Sequence, residues 1–295
     1  MVHALTREDK IVTATVYVTL SLIFLIIAYP LYFVVIASIS DPLLVSTGDV
    51  WAYPRGVTFA GYERIFTHEE IITGYRNSIM YAVVGTSVNL AITLTAAYAL
   101  SRPDLVGRTA ITFIFAFTMF FSGGIIPLFL LVRSLGLYNT FWAMIFPTAL
   151  SVWNMIIART FFQSTIPKEL LDSAKVDGCS DFRFFWSIVL PLSSAIIAVL
   201  LIFYAVAHWN AFFNALIFLR SRARFPLQLV LRDILIQHQF TDEMMIDDAS
   251  AEISAMIAES MKYGVIIVAS VPVMILYPFV QKHYVRGIMI GAIKG

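Results

Sequence analysis

Long uncharged apolar stretches alternate with short charged segments along the whole chain. Six stretches that are long enough to cross a membrane contain no Asp, Glu, Lys or Arg. They cover residues 13–38, 77–100, 109–132, 136–158, 192–218 and 263–281. An α-helix needs roughly 20 apolar residues to cross the hydrocarbon layer. The pattern therefore predicts an all-α membrane protein with six transmembrane helices, and residues 1–295 form a single transmembrane domain.

Composition agrees with a membrane protein. The chain is 59% hydrophobic and 13% charged, whereas a soluble domain carries about 25% charged residues. A formal net charge of +1 offers no basic face for nucleic acid. The first apolar stretch is about twice as long as the apolar core of a signal peptide, roughly 7–15 residues, and it lacks a small-residue cleavage site. We therefore expect it to be retained as the first span.

The distribution of Lys and Arg predicts the orientation. With the N-terminus inside, eleven of these residues face the cytoplasm and nine face outward. Five of the nine lie in the long 219–262 connection, and long connections are translocated with little regard to charge. The short connections therefore favour cytoplasmic N- and C-termini. They also place the 101–108 turn and the 159–187 connection in the cytoplasm.

Motifs for catalysis, nucleotide binding and metal binding are absent from the sequence. No P-loop, H-E-x-x-H or G-x-S-x-G motif occurs, and the five histidines are scattered. Cys179 is the single cysteine, so it cannot form a disulfide within the chain. We predict no catalytic residue, no metal site and no cofactor bound by this chain.

A secondary transporter or channel that acts alone is the main alternative. Ion-coupled carriers of that kind usually place ionisable groups inside the membrane. Only His208 lies within a predicted span, and a single histidine near a helix end is more typical of a structural hydrogen bond. The alternative stays open, with weak support.

The two outer connections each allow two interpretations. Residues 39–76 contain several aromatic residues that suit an interfacial lid or a partner contact. Residues 219–262 open with apolar residues at helical spacing, which predict an amphipathic helix on the surface. These residues are Leu227, Val230, Leu231, Ile234 and Leu235. Four arginines there could attract an anionic substrate, or pair with the acidic 242–259 segment or a binding protein. They are Arg220, Arg222, Arg224 and Arg232.

The sequence of the cytoplasmic segment 167–191, called the elbow below, predicts two short helices separated by a glycine. Pro167 and Glu169 suit the first turn of a helix. Gly178 ends that helix, and Ser180 or Asp181 caps the next one. The elbow contains more apolar residues than a connector needs, namely Leu170, Leu171, Ala174, Val176, Phe182 and Phe185. From physical chemistry alone, these residues either bury the elbow on its own helix bundle or dock on a partner.

The elbow resembles a motif of the binding-protein-dependent ABC importer permeases. That motif reads E-A-A, three residues, G, nine residues, I-x-L-P. The matching positions here are Asp172, Ser173, Ala174, Gly178, Ile188, Leu190 and Pro191. Asp172 replaces the glutamate and Ser173 replaces the first alanine, and both changes conserve size and charge. The flanking stretches "FSGGIIPLFLLVRSLGLYNTFWAMIFP" and "FYAVAHWNAFFNALIFL" are similar to the carbohydrate branch, including permeases for alginate- and pectin-derived oligosaccharides.

This resemblance implies a permease subunit of the type I ABC importer fold in a bacterial inner membrane. It implies a second permease subunit, two ATPase subunits that bind ATP and Mg²⁺, and an extracytoplasmic solute-binding protein. The elbow would be the coupling helix that docks in the ATPase, with Leu170 and Ala174 as its apolar face. The implied coupling residues are Glu169, Leu170, Asp172, Ser173, Ala174, Gly178, Leu190 and Pro191.

A sugar pathway requires aromatic faces and amide or hydroxyl groups in a mostly uncharged wall. The candidates in the fourth and fifth spans are Trp153, Asn154, Tyr204, His208, Trp209, Asn210 and Asn214. The alternative is that the aromatic residues are interfacial anchors. The sequence "SGGIIP" at 122–127 predicts a kink in the third span, because glycine pairs and proline bend helices.

Overall fold

A computed structural model describes residues 6–234, 261–276 and 278, and these residues contain helices and turns without a β-strand. The α-helices are α1 Arg7–Ser38, α2 Pro42–Ser46, α3 Ala60–Thr67, α4 Glu69–Ser101, α5 Arg108–Phe120, α6 Ile125–Ser134, α7 Val152–Thr165, α8 Lys168–Val176, α9 Asp181–Phe184, α10 Leu190–Leu192, α11 Ser194–Trp209, α12 Phe212–Phe218, α13 (227–234) and α14 Met261–Leu276. Short 3₁₀ turns cover Phe141–Met144, Phe146–Thr148 and Arg222–Arg224, and a π turn covers Phe185–Val189.

Two of the described helices, α1 and α4, are single helices long and apolar enough to cross a membrane. Three further stretches qualify only as bent pairs. The bend is 115° between α5 and α6, 54° between the 3₁₀ turns and α7, and 82° between Asp181–Leu192 and α11. The predicted kink at 122–127 is therefore confirmed. Helix α14 is shorter, and the end of the predicted sixth stretch lies outside the described residues.

The described residues divide into two compact units, the first formed by those within Met1–His68 and Asp233–Ser270. Helix α1 begins with a capping box, in which Thr6 and Asp9 satisfy each other's backbone N–H groups. The end of α1 packs with α2 in an apolar cluster that includes Ile36 and Val45. The hydroxyl of Tyr62 in α3 donates to Ser38 Oγ at 2.8 Å. The 39–67 segment is therefore folded onto the end of α1.

The second unit, Glu69–Arg232 with Val271–Gly295, is built around α4. Helices α7 and α11 pack along α4 and bury polar as well as apolar side chains. The amide of Asn89 in α4 donates to the Thr148 carbonyl at 2.6 Å. Its oxygen lies 2.6 Å from His208 Nε2 in α11. Thr93 and Tyr204 share a hydrogen bond of 2.7 Å. These pairs satisfy several of the polar groups that the helix interfaces bury, whereas the hydroxyls of Thr86 and Ser193 are buried without a hydrogen-bond partner among the described residues.

Gly85 lets the His208 ring lie against the backbone of α4. A Cβ added at Gly85 would lie 2.5 Å from Cε1 and 2.7 Å from Cδ2 of His208. We expect Gly85→Ala to lower the free energy of unfolding by about 1–3 kcal/mol, the usual cost of overpacking a core. Thermal unfolding in detergent measures the effect. Gly123→Ala is the control, because its Cβ would meet Pro127 at an ordinary 3.6 Å. Equal melting temperatures for the two variants would contradict the prediction.

The described part of the outer connection after α12 is held against α4. The Asn77 amide donates to the carbonyls of Ala223 and Phe225, and the Tyr81 hydroxyl donates to the Arg224 carbonyl. Arg222 pairs with Glu70 at 2.8 Å. Of the four arginines in the outer connection, Arg222 therefore forms an ion pair with a residue of α4. The acidic 242–259 segment lies outside the described residues.

Helix α13 is confirmed as a helix with an apolar face that packs inward, while its polar residues Gln228, Arg232 and Asp233 stay partly exposed. Leu227, Leu229, Val230 and Leu231 are all buried. Gly74 of α4 makes this burial possible, because the Leu227 backbone lies 3.1 Å from where a Cβ would be. The apolar spacing predicted the helix, while the depth of its packing depends on a glycine distant in sequence.

Candidate functional site

The first arm of the elbow is α8, and it ends in a Schellman motif. The Gly178 N–H donates to the Lys175 carbonyl at 3.0 Å, and the Cys179 N–H donates to the Ala174 carbonyl at 2.9 Å. Gly178 has a φ of +71°, a left-handed conformation that favours glycine. Among the described residues, no heavy atom other than those of Gly178 and its two chain neighbours lies within 4 Å of a Cβ placed there. The turn therefore projects into open space.

The second arm continues from Ser180 to Leu192. Ser180 Oγ accepts a hydrogen bond from the Arg183 N–H, so Ser180 is the cap rather than Asp181. Pro191 has no backbone N–H, so the α-helical bond to the Ser187 carbonyl cannot form, and a π turn precedes it. The sequence thus specifies both ends of this arm.

The inner face of the elbow packs on its own helix bundle. Leu171, Ala174, Phe184 and Phe185 are all buried in one apolar cluster with residues of α4, α7 and α11. Leu170 is half-buried and packs against the same cluster. The expectation that Ala174 offers a docking face is therefore wrong, because its side chain contacts the core of this chain.

The outer face of the elbow carries a separate set of exposed apolar side chains. Val176 is 89% exposed, Phe182 is 71% exposed and Trp186 is 58% exposed. The polar motif residues Glu169, Asp172 and Ser173 are exposed as well, and so is Pro191. Leu190 is half-buried against the core. The burial interpretation therefore fits the inner set of residues, and docking on a partner stays a prediction for the exposed set.

A cluster of ion pairs, called the Arg102 clamp below, ties the elbow to the end of α4. Arg102 makes a bidentate pair with Asp104, with distances of 2.8 Å from Nε and 2.6 Å from Nη2. Its Nη1 donates to Asp181 in the elbow at 2.8 Å and to the Tyr98 hydroxyl at 3.1 Å. Lys175 lies 3.7 Å from Asp104. One guanidinium thus joins α4, the 101–108 turn and the second arm of the elbow.

The clamp holds its charges over the neutral pH range. The hydrogen bonds from Arg102 lower the pKa of the Asp104 carboxyl well below its usual range. The same contact raises the pKa of Arg102. A carboxyl with a lowered pKa stabilises the fold above its unfolded pKa of about 3.9, and this contribution is lost only as the pH falls through the lowered value. Sequence reasoning missed this cluster, because Asp181 was assigned to capping and Arg102 to orientation alone.

Four of the seven substrate-pathway candidates are buried inside this chain. Tyr204, His208 and Trp209 are each 4% exposed, and Asn154 is 7% exposed. Tyr204 and His208 make the hydrogen bonds to α4 described above, and Trp209 packs edge-on against Tyr75 at 5.4 Å. The four side chains therefore pack inside this chain, and the hydrogen bond of His208 to Asn89 agrees with its structural interpretation. Their role in a sugar pathway stays a prediction.

The other three candidates are accessible. Trp153 at the start of α7 is 62% exposed. Asn210, between α11 and α12, is exposed, and Asn214 in α12 is half-buried. An exposed indole face and two amide groups have the chemistry that a carbohydrate site requires.

Apolar helices long enough to cross a membrane, together with a projecting elbow, agree with the class of membrane transport permeases. The chain belongs to the family described as "Binding-protein-dependent transport system inner membrane component", whose model matches residues 87–290. It is a non-catalytic inner-membrane subunit, and its fold is that of the type I ABC importer permeases.

Similar proteins cover nearly the whole chain. It is 38% identical over 288 residues to the polygalacturonan/rhamnogalacturonan transport system permease protein YtcP of Bacillus subtilis (strain 168), covering 98% of this chain and 100% of that protein. Protein LplC of the same organism is 38% identical, covering 90% and 89% of the two chains. The crystal structure of a bacterial ABC transporter involved in the import of the acidic polysaccharide alginate contains a chain with a TM-score of 0.86 and 31% identity, covering 95% of this chain and 98% of that one.

Proposed function

We propose that this chain is a permease subunit of an ATP-driven importer for acidic oligosaccharides, with a uronate oligomer as substrate. In this proposal it pairs with a second permease subunit and receives sugar from an extracytoplasmic solute-binding protein. Two ATPase subunits bind ATP and Mg²⁺ and engage the elbow. The observation that carries the proposal is the elbow itself, which matches the family motif and exposes Val176 beside the Gly178 turn.

The coupling role is supported by how the two faces of the elbow differ. The inner face is fixed to the bundle by buried apolar residues and by the Arg102 clamp. The outer face ends in a glycine turn with Val176 beside it. Because packed elements move as units, an elbow that is rigidly attached to its own bundle transmits a movement of the ATPase subunit to the spans.

The acidic substrate is supported by the similar proteins. One is a permease for polygalacturonan and rhamnogalacturonan, and another is a chain of an alginate importer. The accessible candidates Trp153, Asn210 and Asn214 supply stacking and hydrogen bonding. A cytoplasmic position for the elbow and both termini follows from the charge count over the short connections.

The experiment is ATP hydrolysis by the assembled transporter in proteoliposomes. Its solute-binding protein is loaded with an oligogalacturonate, an alginate oligomer or a neutral oligosaccharide of matched length. We expect a uronate oligomer to stimulate hydrolysis and uptake, while the neutral sugar does neither. Stimulation by the neutral sugar alone would contradict the acidic substrate. Sugar uptake by the isolated chain without ATPase subunits would contradict the permease role and favour a carrier that acts alone.

A further inference from the structure

A polar cavity of about 440 Å³ lies where α4, α7 and the start of α8 meet. Six of its lining residues carry polar or charged groups, and the other six are apolar. The polar six are Tyr98, Ser101, Arg102, Gln163, Ser164 and Lys168. Arg102, Leu171 and Phe184 in its wall also attach the elbow to the bundle, but neither the coupling role nor the sugar pathway places a ligand in the space between them. Its volume is within the range of about 300–1,000 Å³ that is typical of small-molecule sites.

The charges around the cavity favour an anion. Arg102 and Lys168 line it, and no carboxylate is among the lining residues. Arg102 donates four of its five N–H groups to Asp104, Asp181 and Tyr98, so one N–H remains for another acceptor. The ammonium of Lys168 forms no ion pair within the described part of the chain. Lys168 is therefore the cation available to an incoming group.

The position and the mixed lining identify the kind of anion. Ser101 ends α4 and Lys168 begins α8, just after the end of α7. In the proposed orientation these helix ends are at the cytoplasmic ends of their spans, the side on which inner-leaflet headgroups lie. Basic pockets between transmembrane helices on this side bind anionic headgroups. The accessible apolar residues of the lining are Pro103, Ile166 and Pro167, and they suit the glycerol and the start of an acyl chain.

We propose that this cavity binds the headgroup of an anionic phospholipid from the inner leaflet. The phosphate contacts Lys168 and accepts hydrogen bonds from Gln163 and from Ser164, whose hydroxyl gives up its 3.1 Å bond to the Phe161 carbonyl. Bound there, the lipid lies beside the Arg102 clamp and the root of the elbow. The proposal does not depend on which sugar is transported.

The test is native mass spectrometry of the assembled transporter. The complex is taken from nanodiscs of phosphatidylcholine that contain a minor fraction of phosphatidylglycerol. We expect wild type to retain one more phosphatidylglycerol per copy of this chain than Lys168→Gln. Ser164→Glu removes no cation but places a carboxylate in the cavity, and we expect the same loss. Lys175→Gln is the control, because Lys175 is on the same helix but faces Asp104. Thermal unfolding verifies that the variants are folded.

Three outcomes would overturn the proposal. The first is equal retention by wild type, Lys168→Gln and Ser164→Glu. The second is an equal loss in Lys168→Gln and Lys175→Gln, which would show only a general effect of surface charge. The third comes from wild type in pure phosphatidylcholine with inorganic phosphate. If phosphate binds in a Lys168-dependent way while phosphatidylglycerol does not, the cavity is a site for a soluble anion.

Discussion

Replacement of Val176 by aspartate is expected to abolish sugar-stimulated ATP hydrolysis without lowering the amount of folded permease in the membrane. Val176 is 89% exposed beside the Gly178 turn, so it contributes little to the stability of this chain. If it is buried in a partner cleft, its loss costs about 1.5–3 kcal/mol, or about 10- to 100-fold in affinity. An unpaired carboxylate in the same cleft costs more. The measurement is ATP hydrolysis by proteoliposomes together with co-purification of the ATPase subunits.

The chain offers a matched control for this change. Val106 on the neighbouring 101–108 turn is 92% exposed, and Val106→Asp makes the same substitution outside the elbow. We expect Val106→Asp to retain stimulated hydrolysis. At Gly178, Asn and Asp have the same size and both tolerate a left-handed backbone, so Gly178→Asp compared with Gly178→Asn isolates the added charge. Normal coupling in Val176→Asp, or equal loss in Val106→Asp, would contradict docking through the elbow.

The helices of the bundle could be predicted from the sequence more accurately than their ends. The uncharged stretch 77–100 predicted a span, and the helix found there is Glu69–Ser101. Charged residues mark where a helix leaves the hydrocarbon, because desolvation of their charge is costly. They do not end the helix, since Glu69 and Glu70 complement the dipole of its first turn.

Breaks inside uncharged stretches were partly visible in the sequence. Paired glycines and Pro127 indicated the bend between α5 and α6. The stretch 136–158 contains only Pro147 as a comparable signal, yet it forms 3₁₀ turns before α7 begins at Val152. A count of uncharged residues is insensitive to such local geometry, which depends on packing against α4 and α12.

The elbow could be located from the sequence, but its inward and outward faces could not be distinguished. Ala174 and Val176 are both apolar and lie two residues apart, so the sequence pattern does not distinguish them. In the structure Ala174 is buried and Val176 is exposed. Which side faces the bundle depends on Phe162 and Leu200, residues of other helices in the same cluster. The same limit applies to Tyr204, whose burial the sequence did not indicate.

The Arg102 clamp had no signal in the local sequence. Arg102 and Asp181 are separated by 79 positions, and they meet only because α8 and α9 fold back onto the end of α4. An arginine at the end of a span is also what orientation rules predict. Pairing over such a distance in sequence therefore becomes visible only in three dimensions.

Arg102→Ala is expected to uncouple transport from ATP hydrolysis as well as to destabilise the chain. Removal of the guanidinium releases Asp181 in the elbow and Asp104 in the turn. The Arg102 side chain is only 12% exposed, but its partners are 50% and 69% exposed. Because water screens these exposed partners, each hydrogen bond contributes less to stability than it would in the core. We expect Arg102→Ala to lower the free energy of unfolding by about 1–3 kcal/mol. A loosened elbow should lower the amount of sugar imported per ATP hydrolysed.

Geometry and charge can be separated at this position. Arg102→Lys retains the charge but cannot form the bidentate pair. Relative to Arg102→Ala, we therefore expect it to recover more of the free energy of unfolding than of the ratio of sugar imported to ATP hydrolysed. A double-mutant cycle of Arg102→Gln and Asp181→Asn should be non-additive in the sugar-to-ATP ratio, because each single change already breaks the link to the elbow. If Arg102→Ala lowers the melting temperature but leaves that ratio at the wild-type value, the clamp only stabilises the fold. Coupling would then depend on the apolar inner face of the elbow alone.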